Sequence, residues 1–238
     1  MFIVDTIKRR LHREIVADPV LHGLVLNLYL NGERYPHRVD DYFPLAVAAQ
    51  WGLAETMRAH LADEDKHVAL YARAIEKLGQ SVLELPVGDI FNEVIRAHTP
   101  ASFAMRPDDD RDTQRLKLAH FLAHAHFLEK RIARSLEYHV DACAHSPSPY
   151  PHKAVCAVLH DERHHVCYTR EAVTDLLPAR RANEVLAVHA RAERRANVDF
   201  SATQMRALLR THSRRFSRGG LVVFRACAGL LGRIVAHA

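Results

Sequence analysis

The chain reads as an all-α protein, and three features of its sequence say so. Glycine and proline are scarce, 9 and 10 in 238 residues. Apolar residues recur three and four positions apart, the repeat that lines one face of a helix. Runs that alternate polar with β-branched residues, the mark of a half-buried strand, are few. A hydrophobic content of 48% with 26% charged residues describes a soluble globular protein with one sizeable core and an appendage. Residues 1–4 are followed at once by Asp5, Lys8, Arg9 and Arg10, so no apolar signal-peptide core is read. No apolar run reaches the roughly 18 residues of a membrane span. Cys143, Cys156, Cys167 and Cys227 make no Cys-x-x-Cys pair, which points to a reducing, cytoplasmic setting.

Residues 5–17 form a short amphipathic helix, with Ile7, Leu11 and Ile15 opposite lysine and arginine. A first long helix starts at Pro19, which suits a first-turn position. In it Leu26, Tyr29, Leu30 and Glu33 fall at helical spacing, so Glu33 continues an apolar stripe. Pro36 and Pro44 leave two courses open. Either the helix ends near Tyr35 and the next begins at Pro44, or it kinks at Pro36 and runs on to a turn at Trp51-Gly52. The second is preferred because it keeps Glu33 and Glu64 at more similar heights. A second long helix covers residues 53–78 and stops at Gly79. Residues 80–110 hold Pro86, Pro100 and Pro107 around one short amphipathic piece, 90–97. A connection this long can cross the full length of a bundle.

Asp108-Asp109-Asp110 supplies a cap for the third long helix and negative charge at the positive end of its dipole. Its stripe is Leu118, Leu122, Ala125, Glu129, Ile132 and Leu136, so Glu129 stands where a core leucine is expected. A buried carboxylate there needs a metal, a cation or a proton. The turn at 146–151 leads to a fourth helix, about 152–177, stopped by Pro178. Val155, Val158, Leu159, Glu162, His165, Val166 and Val173 line its inner face. Beyond Pro178 the composition changes: residues 179–218 carry ten arginines against Glu184, Glu193 and Asp199, a net charge of +7 where the chain has +5. This segment reads as one or two helices, for example 183–195 and 201–216 with Ser201 as N-cap. A Gly219-Gly220 break then precedes an apolar piece, 221–235.

The chemistry sits in a motif that occurs twice. Leu61-Ala-Asp-Glu-Asp-Lys-His-Val-Ala-Leu70 and Leu159-His-Asp-Glu-Arg-His-His-Val-Cys-Tyr168 share the frame Asp-Glu-x-x-His-Val: Asp63, Glu64, His67 and Val68, then Asp161, Glu162, His165 and Val166. Residues three apart share a helix face, so each copy presents a carboxylate and an imidazole to one point. Two such helices facing each other supply four ligands to a pair of cations. With 18 histidines in the chain, a single Glu-x-x-His is ordinarily a solvated surface pair. Here both copies lie in apolar helical patterns, and each has a lone glutamate upstream: Glu33, 31 residues before Glu64, and Glu129, 33 before Glu162. The competing readings are Glu33 as a surface acid beside Pro36, and Glu137 in place of Glu129. His120, His124 and His126 read as solvated or helix-packing histidines, unless one of them is an extra ligand near Glu129. His160 and His164 point away from the metals, and Cys167 reads as a small core residue.

The set Glu33, Glu64-x-x-His67, Glu129, Glu162-x-x-His165 resembles the six-ligand pattern of the ferritin-like di-iron or di-manganese carboxylate superfamily. That superfamily includes bacterioferritins, rubrerythrins, ribonucleotide reductase small subunits, soluble methane monooxygenase hydroxylases and aldehyde-deformylating oxygenases. The resemblance spans residues 20–176. It implies a ferritin-like four-helix bundle over 1–178, with a short N-terminal helix and a long crossover between helices two and three. It also implies two iron ions, or manganese, or one of each: Glu64 and Glu162 bridge, Glu33 and Glu129 are terminal, and His67 and His165 each bind one metal. In the oxygen-activating members the Asp before the Glu of one motif supports the His of the other, which pairs Asp63 with His165 and Asp161 with His67.

The activity implied is that of a non-haem di-iron oxidase or oxygenase taking O2, electrons from an external donor and a small, largely apolar organic substrate, with Glu64, Glu162, Asp63 and Asp161 as its catalytic residues. Two other classes stay open: a ferroxidase or iron-storage protein, and a non-catalytic helical interaction module. The basic and apolar extension, 179–238, is expected to pack on the bundle or against a partner subunit in a homodimer. A second possibility places it at an anionic membrane surface or on a lipid carrier, with Arg214, Arg215, Arg218, Arg225 and Arg233 facing phosphates, which makes the protein cytoplasmic and peripheral at the membrane. Nucleic acid is disfavoured as a partner, since only Phe200 and Phe216 offer rings on which bases could stack.

Overall fold

The computed structural model describes residues 2–40, 42–100, 103–106, 108–144, 146 and 148–236, with side chains described between residues 5 and 233. Among these residues the chain is helical and contains no strand. The helices are α1 (Phe2–Ala17), α2 (Pro19–Glu33), α3 (Leu45–Ala49), α4 (Ala54–Lys77), α5 (Phe91–Ala97), α6 (Arg111–Cys143), α7 (Pro149–Leu176), α8 (Ala179–His212) and α9 (Arg218–Ala236). Pro107 of the long connection and Pro147 of the turn before α7 lie outside the described residues.

Most helix ends follow from local chemistry. The Asp18 carboxylate accepts from the amides of Val20 and Leu21 at 2.9 and 3.1 Å, and Pro19 follows at the first helical position. Asp110 caps α6 by accepting from Thr113 N–H at 2.7 Å. Gly79, with φ of 69°, ends α4 in the left-handed region that a side chain would resist.

Three expectations are corrected. The first long helix does not kink at Pro36 and continue. It stops at Glu33, a single tight turn covers Tyr35–Arg38, and the short α3 precedes the Trp51-Gly52 turn. Pro36 has no N–H to bond the Gly32 carbonyl and its ring would press on that carbonyl, so ending the helix costs less than bending it. Tyr35, Tyr42 and Phe43 fold inward instead, and the Phe43 ring lies 5.0 Å from that of His60. Next, residues 179–212 form the one continuous helix α8. Ser201 lies inside it because no glycine or proline interrupts the segment. Finally, Gly219 and Gly220 sit in the first turn of α9, and the break falls earlier, at Ser213–Arg215. At Gly220 a Cβ would stand 2.1 Å from Glu14 Oε1 of α1, so any side chain there would have to displace that carboxylate.

Residue pairs give the sense of packing. Gly23 approaches Gln80 and Glu33 approaches His67, so α2 and α4 run antiparallel. His60 meets Tyr168 and His67 meets Asp161, so α4 and α7 do too. His126 against Val166 and Glu137 against Arg163 show the same for α6 and α7. His22 of α2 touches His139 of α6 at 2.9 Å. After Gly79 the chain is fastened along α2 by two asparagines a helical turn apart. Asn27 accepts from Leu83 N–H (2.6 Å) and donates to the Ser81 carbonyl (3.1 Å). Asn31 accepts from Leu85 N–H (3.0 Å) and donates to the Leu83 carbonyl (2.9 Å). Both side chains are buried, and they substitute for a neighbouring strand.

Two apolar clusters divide the interior. One holds Phe43, Met57, Leu118, Leu122, Val173 and Val185; the other holds Leu26, Leu30, Tyr71, Ile75, Leu136 and Val158. On α4, α6 and α7 the residues between the clusters are polar: His60, Glu64 and His67, then Glu129, then Glu162 and His165. The extension packs back on this body. α8 lies against α6 through His189 and His120 (3.1 Å) and the Arg131–Glu193 ion pair. Phe216 and, on α9, Phe224 and Ala228 are buried together with Ile15 of α1 and Leu21 and Val25 of α2.

Candidate metal centre

All six candidate ligands are buried and converge between the two apolar clusters. Glu33 stands at the C-terminal end of α2, Glu64 and His67 at mid α4, Glu129 on α6, and Glu162 and His165 on α7; Glu162 and His67 are fully excluded from solvent. His67 Nδ1 lies 3.4 Å from Glu162 Oε1 and 3.5 Å from Glu33 Oε2. His165 Nδ1 lies 3.5 Å from Glu162 Oε2 and 3.9 Å from Glu64 Oε1. Thus the two oxygens of Glu162 face two different imidazoles. Donor atoms of Glu33, Glu64, His67 and Glu162 lie within 4.8 Å of one another, as do those of His60, Glu64 and His165, so Glu64 belongs to both groups.

The outward nitrogens are held by carboxylates. His67 Nε2 donates to Asp161 Oδ2 at 3.1 Å, and His165 Nε2 approaches Asp63 Oδ2 at 3.4 Å. This is the crossed pairing implied by the resemblance. It fixes both imidazoles with Nδ1 facing inward. Lys66 completes the outer layer, reaching Asp63 at 2.8 Å and Asp161 at 2.6 Å.

His60 was not among the expected residues. It is buried, stacks on His165 with ring centres 3.6 Å apart, and places Nε2 2.9 Å from Glu64 Oε1 and 3.7 Å from Glu129 Oε1. Its Nδ1 meets the Tyr168 hydroxyl at 2.6 Å. The signal was present in the spacing, since positions 60, 64 and 67 follow the four-then-three step of one helix face. Glu137 and the histidines of α6 lie away from the centre. Glu137 is held by Arg134, His126 by the Val166 carbonyl, and His120 and His124 pack around His189. His160 and His164 are exposed. Cys167 is exposed too, which corrects the expectation of a core residue: it follows Val166 on the outer side of α7.

Burial and mutual repulsion set the charges. Burial, then the negative charges of neighbouring glutamates, hold Glu64 and Glu162 well above the usual carboxylate range. Burial pushes Glu129 up to about 7. Burial also works against charge on His67 and Glu33, but Glu33 and Asp161 together outweigh it for His67, which is raised, and His67, Glu64 and His165 outweigh it for Glu33, which is lowered. His165 is depressed to about 4 by burial and by His67.

The donor set fits metal ions. His67 Nδ1, His165 Nδ1 and both oxygens of Glu162 are buried and have no hydrogen-bond partner. Such atoms cost several kcal/mol unless something satisfies them. Four carboxylates and neutral imidazoles are the ligands that divalent first-row cations take, and the charge of two such cations balances four glutamates. The buried His/Glu clusters can therefore hold metal ions. No protein-family model matches the chain, and no curated protein or solved structure shows significant similarity to it.

Proposed function

We propose that α2, α4, α6 and α7 form a ferritin-like four-helix bundle around a dinuclear carboxylate centre, and that the protein is an O2-dependent di-iron oxidoreductase acting on a small, largely apolar organic substrate. The helix pairings support the bundle: α4 and α6 are each antiparallel to α7, so a link between them has to cross from one end to the other, and the asparagine-fastened segment 81–85 starts that course along one turn of α2. The observation that carries the functional reading is Glu162, whose two unpartnered oxygens face one imidazole each.

In this reading Glu33, Glu64, His67, Glu129, Glu162 and His165 would hold two ions between them. Iron bound by carboxylates and histidines supplies O2 activation, because hard oxygen ligands tolerate both of its common oxidation states. The residues around it do the rest. Asp161 and Asp63 keep His67 and His165 in the tautomer that turns Nδ1 inward. The line Tyr168, His60, Glu64 links a half-buried hydroxyl to a ligand oxygen through two hydrogen bonds, a route by which a proton reaches or leaves Glu64 Oε1.

The extension supplies the partner surface. On α9 Val222 and Leu230 are 70% and 60% exposed and share a face with Ala226 and Gly229, flanked by exposed Arg225 and Arg233. An apolar strip edged by arginines suits an anionic lipid surface, from which an apolar substrate could be drawn. Arg215 does not take part, since it pairs with Asp18 at 2.9 Å.

Anaerobic loading with Fe(II) tests the assignment. About two iron ions per chain are expected, and oxygen should then produce a transient visible absorption that is absent in Glu162→Gln. A wild-type protein that binds neither iron nor manganese overturns the proposal. Elution as a large hollow oligomer that accumulates iron would move it to iron storage.

A further inference from the structure

Away from this centre, α2 and α6 bring together a second group of donors of a different kind. His22 and His139 are fully buried and face each other through their Nε2 atoms at 2.9 Å, and the thiol of Cys143 lies 3.9 Å from His22 Nε2. All three donor atoms lie within 4.8 Å of one another. His139 Nδ1 meets the Tyr29 hydroxyl at 3.3 Å, which leaves Nε2 free to act as a lone-pair donor when Nδ1 carries the proton. His12 of α1 closes the pocket, its ring 5.6 Å from that of His139 and its Nδ1 buried without a partner. Glu129 and His139 are ten residues apart on α6, or roughly 15 Å at the rise of a helix, so the two groups of donors are separate.

We propose that His22, His139 and Cys143 form a second metal site, one for the soft monovalent cation Cu(I). A site of two imidazoles and a thiolate selects soft or borderline ions over the hard ones that suit carboxylates. The choice between them follows from charge. One thiolate neutralises Cu(I), whereas Zn(II) in the same set would leave a net positive charge in an interior where, among the described residues, no carboxylate meets these three side chains. Burial supports the neutral imidazoles required: His22 is held down to about 4, and His139 well below the ordinary histidine range. The same burial pushes the Cys143 thiol up to about 12, so the free site stays protonated and a bound cation must displace that proton. In the unloaded protein the Nε2–H of His22 bridges the two imidazoles; when the cation takes its place that proton moves to His22 Nδ1, so the imidazole stays neutral.

The test is anaerobic Cu(I) binding in competition with a chromogenic Cu(I) chelator, on the full chain. Wild type is expected to bind one equivalent, and Glu162→Gln, which disables the carboxylate centre, is expected to bind it equally well. Cys143→Ala should weaken binding by more than the roughly 100-fold that loss of an outer partner can cost. X-ray absorption on the wild-type complex, which depends on no variant folding, should show one sulfur and two imidazole scatterers around copper. Unchanged affinity in Cys143→Ala, a copper shell without sulfur, or tighter binding of Zn(II) than of Cu(I) would each overturn the proposal. Because the Glu162→Gln background separates the two sites, failure here leaves the dinuclear assignment intact, and the reverse also holds.

Discussion

Glu162 accepts no hydrogen bond, sees no solvent, and faces Glu129 and Glu33 as its nearest negative neighbours. Its folded pKa is raised, so it contributes stability that is present below the ordinary carboxylate pKa and is lost as pH rises toward and past neutrality. Replacement by glutamine keeps the shape and removes the charge. For metal-free protein at pH 8 the expected result is a gain of about 1–3 kcal/mol over wild type, the range by which removing imperfectly paired buried charge stabilises proteins. The gain should shrink toward zero at pH 5. The same variant should lose the rise in melting temperature that Mn(II) or Fe(II) gives the wild type. A protein whose glutamate cluster served stability alone would show the opposite sign, with wild type melting higher at pH 8 without metal. At this scale the inward placement of the candidate residues was legible because a charged residue at a leucine position must have a reason, and Glu129, buried as its stripe implied, showed that. His60 and Lys66 were not, because a histidine or lysine on a helix carries no such contradiction until its neighbours in space are known.

The elements were readable where a residue's backbone preference decides the outcome alone. Pro19, Gly79, Asp110 and Pro178 mark helix ends that the structure keeps within a residue or two. Residues 34–53 were harder, since the choice between a kinked helix and a turn depends on where Tyr35, Tyr42 and Phe43 find cover, and that is a tertiary fact. The segment after Gly79 was also opaque: Asn27 and Asn31 look like ordinary polar residues on an apolar helix until an extended chain is laid beside them. Their work can be separated. Asn31→Ala should cost about 1–2 kcal/mol, leaving the Leu85 amide and the Leu83 carbonyl without their partner. Hydrogen exchange should then speed up at Leu85 while Leu83, bonded to Asn27, stays slow. Equal exchange at both positions would mean that the segment is held by packing of its side chains instead.

Across the whole molecule the interior is unusually rich in histidine, and the expected pH response follows from where those rings sit. Burial holds His12 and His189 down to about 3 and His22 and His120 down to about 4. Each is depressed in the folded state, so the unfolded chain takes up protons first as pH falls. The stability they contribute is complete above the ordinary histidine pKa, near 6.5, and is lost progressively down to pH 3–4. Each group adds up to about 1.4 kcal/mol per pH unit in that window. Glu64, Glu129 and Glu162 act in the other direction, destabilising metal-free protein as pH rises from the carboxylate range through about 7. The two trends together place the optimum of the metal-free protein in mildly acidic to neutral solution, with a fall on both sides. Metal bound to the carboxylates removes only the alkaline fall, because it replaces their protons and leaves His12, His22, His120 and His189 untouched. Guanidinium midpoints measured from pH 4 to 9 should therefore give a peaked curve without metal and, with saturating Mn(II), a curve that rises from acid to neutral pH and then levels. Identical curves with and without Mn(II) would show that the glutamates do not bind it.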